Sequence, residues 1–256
     1  MEIALALTAF SASLLTFFSG FGLGTLLMPV MLIWFPAPIA IALTGAVHFV
    51  NSLFKLSLTH HNIDKRIFLR FGIPAIVAAL LGSWVLIQLE MLPVWLNYQL
   101  FGLNAETGPM KILIAGFLLF FVLMEYAPGM KRLAFAEKWL PLGGLLSGFF
   151  GGLTGNQGAL RSAFLVKTRL TKEQFVATSA LLSACVDLTR LGNYATGMQT
   201  HFDDRLLLPL VISALAAMVG AFIGNKLLKK TTFATLQKTV AFCLVLLALA
   251  LGSGIL

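Results

Sequence analysis

Apolar residues gather into eight long runs along the chain, roughly 3–35, 38–59, 67–89, 111–127, 140–168, 173–198, 205–227 and 233–255. Several exceed the roughly 18 residues that mark a membrane-spanning helix. The pattern predicts an all-α polytopic membrane protein. Two runs are unusual. Run 3–35 is longer than one span needs and is interrupted by Ser19-Gly20-Phe21-Gly22-Leu23-Gly24. Run 140–168 carries seven glycines in sixteen residues, at 143, 144, 148, 151, 152, 155 and 158. Glycine weakens a helix by about 1 kcal/mol against alanine, so a cluster this dense predicts a break. Flanks such as 140–150 or 158–168 are each only about 16 Å long, half of a roughly 30 Å hydrocarbon core. Each broken run can therefore enter the bilayer and turn back.

Composition agrees. Of the 256 residues 59% are apolar and only 11% charged, with a mean hydropathy of +0.92. A soluble domain carries about 25% charged residues, so a soluble enzyme, a nucleic-acid module and a disordered regulator are excluded. The net charge of +8 takes its meaning from position. Cys185 and Cys243 sit inside apolar runs without metal-ligand spacing and read as packing residues. Met1-Glu2-Ile3 lacks the cationic stretch of a signal peptide, so residues 3–18 are expected to be retained structure.

Charge placement tests the topology. If all eight runs crossed fully, seven loop Lys and Arg would lie on one side and eight on the other, against the positive-inside rule. With the two glycine-broken runs as re-entrant hairpins, the loops near 65, 131, 169 and 229 share one side and thirteen Lys and Arg. The opposite side then holds only Lys111 and Arg205. This predicts six spans, two hairpins, both termini outside and the basic loops cytoplasmic. It also exposes a repeat: Ser-Gly-Phe then glycines at 19–24 and 147–158, Thr44 answered by Thr178, and His61-Asn62-Ile63-Asp64 by His201-Phe202-Asp203. A hairpin plus three spans is an odd number of crossings, so the copies, about 1–127 and 140–256, would be inverted, a recurring plan in secondary transporters. No linker divides the chain, which reads as one transmembrane domain over 1–256. Chance similarity between glycine-rich helices is the alternative.

The sequence resembles the TauE/SafE family of sulfite-exporter-like membrane proteins. The resemblance lies in Gly22-Leu23-Gly24 and Pro29, Thr44 through Lys55, and Asn62-Ile63-Asp64 before a helix with Pro74 and Gly82. The second copy repeats it as Gly151-Gly152-Leu153-Thr154-Gly155-Asn156-Gln157-Gly158, then Thr178 and Asp203. Thr25 and Leu26 stand where further glycine is common in the family. Membership implies transport of small sulfur oxyanions or organosulfur anions such as sulfite or sulfonates.

Ionisable side chains within apolar runs usually face a bundle interior. Arg161 follows Thr154, Gly155, Asn156, Gln157 and Gly158, where the break bares backbone N–H groups for an anion. It either forks two donors onto an oxyanion or snorkels to an interface. Asp187 and Arg190, at i and i+3, either neutralise each other or share Arg190 with a bound anion. In the second case protonating Asp187 would free the arginine and couple transport to protons, and Asn193 could add a donor. His48, Asn51 and Lys55 form one stripe that would complete an anion cage. His48 alone can equally be a satisfied interhelical histidine, and Lys55 can reach the interface. Gly22, Gly24, Gly152, Gly155 and Gly158 are the hairpin glycines. Trp34, Trp84, Trp95 and Trp139 suit an interfacial belt. No cofactor or metal is implied, and the expected partners are a small anion and the lipid bilayer. The leading expectation is a secondary transporter for a small anion, working by alternating access in the plasma membrane. An anion channel, or an intramembrane hydrolase pairing Ser162 or Ser183 with His48, are the alternatives. No nucleotide-binding Gly-x-x-x-x-Gly-Lys-Ser/Thr sequence supports a pump.

Overall fold

A computed structural model describes residues 1–17, 23–100, 103–126, 134–198, 203–227, 245–246 and 248–255. Among them run α1 (Glu2–Thr16), α2 (Leu23–Met31), α3 (Ala37–Thr59), α4 (Lys65–Glu90), α5 (Pro109–Tyr126), α6 (Leu140–Thr154), α7 (Gly158–Leu165), α8 (Lys172–Gly197) and α9 (Leu207–Leu227). Four helical stretches are long and apolar enough to cross a membrane: Ala37–Asn62, Lys65–Glu90, Lys172–Gly197 and Asp204–Lys226. The chain is thus a largely helical protein of membrane type. Gly20 and Gly22 of the first cluster lie outside the described residues, as do Lys131, Arg132, Lys229, Lys230, Lys238 and Cys243.

Polar residues fix the helix starts. Asp64 caps α4, its carboxylate accepting from Ile67 N–H at 2.9 Å. Its own N–H donates to Thr178 Oγ1 on α8 at 3.0 Å. Asp203 does the same ahead of α9, accepting from Arg205 N–H at 3.3 Å. Thr171 and Gln174 close a reciprocal capping box on α8. Within α4 the turn Phe68–Gly72 widens to a π-helix. Pro74 follows it and has no N–H for the carbonyl four residues back, and the wider turn accommodates that loss.

Helix α3 packs on α8 at the centre, α1 packs on α9, and α6 packs on α4. Glycine sets both flanking contacts. A Cβ at Gly144, Gly148 or Gly152 would strike the carbonyls of Phe71, Ala75 or Ala79, and one at Gly82 would strike Phe149. On the other side Gly220 and Gly224 meet the Phe10 and Leu14 carbonyls. These are small residues at four-residue steps that let two backbones touch, the packing that membrane interiors favour. Most glycines of run 140–168 therefore serve contact, and one turn alone is broken.

That break leaves α6 with 15 residues and α7 with 8, each shorter than a roughly 30 Å core. The start of α6 and the end of α7 lie together: Phe135 N–H donates to the Ala163 carbonyl at 3.1 Å, and the Phe135 and Phe164 rings stack at 4.3 Å. At this end Arg66 reaches Glu137 at 2.8 Å, and Thr59, Lys172 and Asn225 line one cavity. The opposite end carries a short β-hairpin. Leu96–Leu100 (β1) and Leu103–Thr107 (β2) form an antiparallel hairpin with Leu96 opposite Thr107. Its Tyr98 hydroxyl donates to the Ser253 carbonyl at 2.5 Å, and Glu106 N–H to the Gly254 carbonyl at 3.0 Å. The hairpin so fastens the last helical residues to the α4–α5 connection.

Candidate functional site

Where α6 ends, Gly155 takes the left-handed conformation (φ +80°), and its N–H returns to the Gly151 carbonyl at 2.9 Å. Only glycine adopts this shape without strain, and the site uses the missing side chain as well. A Cβ at Gly155 would collide with the Arg190 guanidinium, and one at Gly45 would crowd it at 3.0 Å. Arg190 of α8 is thus seated between the break and α3. Gly24, the one glycine of the 19–24 cluster within the described residues, lies against the Gly155 carbonyl, 3.3 Å from its own Cβ position. The N-terminal end of α2 therefore meets the α6–α7 break. The loop is held by Ser147 Oγ, donating to the Gln157 carbonyl at 3.1 Å, and by Tyr194, whose hydroxyl donates to the Gly152 carbonyl.

Asp187 organises the polar centre and is fully buried. Its Oδ1 accepts from Arg190 Nε at 3.0 Å and lies 2.8 Å from Arg190 Nη2, with Gln157 Nε2 at 3.4 Å. Its Oδ2 meets His48 Nδ1 at 2.5 Å. One carboxylate thereby joins α3, α8 and the loop before α7. Buried charge of this kind is tolerated only when each partner is kept.

Beside this cluster lies a small cavity of about 30 Å³, room for about two waters. His48, Ser52 and Lys55 reach it from α3, Arg161 from α7, and Ser179 and Ser183 from α8. Arg161 Nη1 donates to Ser183 Oγ at 2.5 Å and to Gln157 Oε1 at 3.4 Å. Lys55 Nζ sits 5.3 Å over the Phe17 ring. No Asp or Glu is among the described lining residues, whose polar groups are the Lys55 and Arg161 cations, the His48 imidazole and hydroxyls. A second cavity of about 890 Å³ opens at the end that carries Lys172 and Asn225. The two share Phe17, Phe175 and Val176. These three side chains border both.

The expected residues divide accordingly. Arg161 from α7 and Lys55 and His48 from α3 converge on one cavity. Arg190, Asp187 and Gln157 form the adjoining bonded cluster. Asn51, in the same stripe as His48, instead accepts from Ser13 Oγ at 2.9 Å and ties α3 to α1. Thr154 Oγ1 donates to the Phe150 carbonyl at 3.2 Å within its own helix. The Asn156 side chain is buried without a hydrogen-bond partner among the described residues. Asn193 is occupied by Ser83 at 2.8 Å, tying α8 to α4. Ser183 is engaged by Arg161 and His48 by Asp187, so the Ser–His pairing a hydrolase would need is not formed there. Ser52 and Ser179 were missed as lining residues. For Ser179 the signal lay in the four-residue steps Ser179, Ser183, Asp187, which continue through Arg190 and Tyr194 on one face of α8.

The model of the family described as Sulfite exporter TauE/SafE matches residues 5–251, nearly the whole chain. No curated protein and no solved structure matches.

Proposed function

We propose that this chain, which belongs to the TauE/SafE sulfite exporter family, is a secondary carrier for a small sulfur oxyanion or sulfonate. The carrying observation is the cavity shared by Arg161, Lys55 and His48, with serine hydroxyls as its other polar lining from α3 and α8. An oxyanion between Lys55 and Arg161 meets a point charge on one side and a planar fork on the other, while Ser52, Ser179 and Ser183 supply further donors. A zwitterion with an ammonium group finds no carboxylate among the described lining residues. At about 30 Å³ the cavity is tight for a four-atom oxyanion, so its walls must give during the cycle. Phe17, Phe175 and Val176, which border both cavities, are the barrier to be opened towards the larger one. A small cation-lined pocket bordered by Phe17, Phe175 and Val176 favours a carrier over a channel.

The architecture we infer is an inverted repeat over one domain, 1–256, with halves of about 1–127 and 140–256. Two features support it: the reciprocal packing of α1 on α9 and α6 on α4, and the return of α7 to the end where α6 begins. By the positive-inside rule the end with Lys65, Arg66, Lys167, Arg169 and Lys172 faces the cytoplasm of a plasma membrane. That end holds the 890 Å³ cavity, so the conformation opens inward.

The test is flux of radiolabelled sulfite in proteoliposomes. Arg161→Ala removes a charge-assisted bond of about 1.5–3 kcal/mol, so uptake should fall by about 10- to 100-fold at low substrate concentration. Lys55→Ala should act in the same direction. Wild-type flux in both variants would place the anion elsewhere.

A further inference from the structure

Among the described residues His48 is the one buried histidine, and of its two nitrogens one is committed to a carboxylate. Nδ1 meets Asp187 Oδ2 at 2.5 Å. A carboxylate only accepts, so the proton between them belongs to Nδ1. Nε2 has no hydrogen-bond partner among the described residues, and the ring lines the 30 Å³ cavity beside Arg161 and Lys55. In neutral His48, Nε2 presents a lone pair to that cavity and repels an anion. In the imidazolium, Nε2–H is a donor aimed where the oxyanion sits, and Asp187 balances the charge from behind.

Resting on the anion-carrier reading, we propose that His48 is the proton carrier of this site: each bound anion takes up one proton at Nε2, and both cross together. Asp187 is the anchor rather than the titrating group. Arg190 and Gln157 hold its other oxygen, and histidine is the side chain whose charge changes near neutral pH. The charged groups around His48 are Asp187 and Arg190 from α8, Arg161 from α7 and Lys55 from its own helix. Helix α2 carries no ionisable residue, while α1 has only Glu2, at its first position, and α9 only Lys226, which lies over the Phe222 ring. Linkage gives the sign. The protonated form binds the anion, so affinity falls as pH rises, by up to tenfold per pH unit.

Sulfite itself titrates near neutral pH, so the comparison is between proteins. In purified wild type, log Kd for sulfite should climb with pH more steeply than in His48→Gln, by a slope difference approaching one. An inward-directed proton gradient should drive sulfite accumulation into vesicles carrying wild type but not His48→Gln, with protein-free vesicles as background. Should the variant fail to fold, calorimetry of wild type in two buffers of different ionisation enthalpy counts protons directly. About one proton taken up per sulfite, beyond the ligand's own, is expected, and none overturns the proposal. Equal slopes in the two proteins also overturn it, with the carrier reading intact. No sulfite binding by wild type at any pH overturns both.

Discussion

Asp187→Ala is the sharpest perturbation of the polar centre. Asp187 and Arg190 are both fully buried, and the substitution leaves the guanidinium between Gly45 and Gly155 without its carboxylate. Removing one partner of a buried pair costs about 3–5 kcal/mol. Arg190→Met is the instructive control. It leaves Asp187 with His48 at 2.5 Å and Gln157 at 3.4 Å, so the remaining charge is better compensated. Losing hydrogen bonds to a charged group then costs about 1.5–3 kcal/mol. The double variant should be more stable than the sum of the two losses, by about 0.5–3 kcal/mol. Reversible unfolding in mixed micelles, titrated with a denaturing detergent, reads all four corners of the cycle. An Asp187→Ala variant within 1 kcal/mol of wild type, or strictly additive losses, would refute the claim that this carboxylate joins three elements.

Gly155→Ala should lose about 1–2 kcal/mol from the left-handed backbone alone, and more through displacement of Arg190; a loss no larger than that of Gly192→Ala, which has open space at its Cβ position, would contradict it. Gly148→Val forces α6 off the Ala75 carbonyl and should cost at least the 1–3 kcal/mol of an overpacked core, read as a lower thermal midpoint in detergent. Phe175→Ala thins this barrier, and a cysteine at position 179 should then react faster with a water-soluble thiol reagent added from the basic end; an unchanged rate would mean that another group seals the cavity.

Much of this was legible because membrane sequences punish the unusual. Arg161, Lys55 and His48 stood out as ionisable residues inside apolar runs, and they do meet. The break was legible too, but only Gly155 makes it. Gly144, Gly148 and Gly152 look identical to helix-weakening glycines in sequence, and only the partner backbone of α4 reveals them as contact points. Asn51 and Asn193 looked like site donors because helical spacing gives a face without naming the neighbour. Ser13 and Ser83, far away in sequence, had already claimed them. The serines of the cavity were missed for the opposite reason: a lone hydroxyl in a membrane helix can satisfy itself on its own backbone, as Thr189 does on the Cys185 carbonyl at 2.8 Å.

The glycine seams have one more consequence. Because α1 is welded to α9 and α6 to α4, neither half of the polypeptide would move as a unit; each packed pair is a chimera with one helix from either half. A short turn joins α4 to α3, and nine residues separate α8 from α9, so tilting either chimera would tug on a helix that bears cavity residues. The chain's own connectivity would then act as the crank between bulk rearrangement and the grip on the solute.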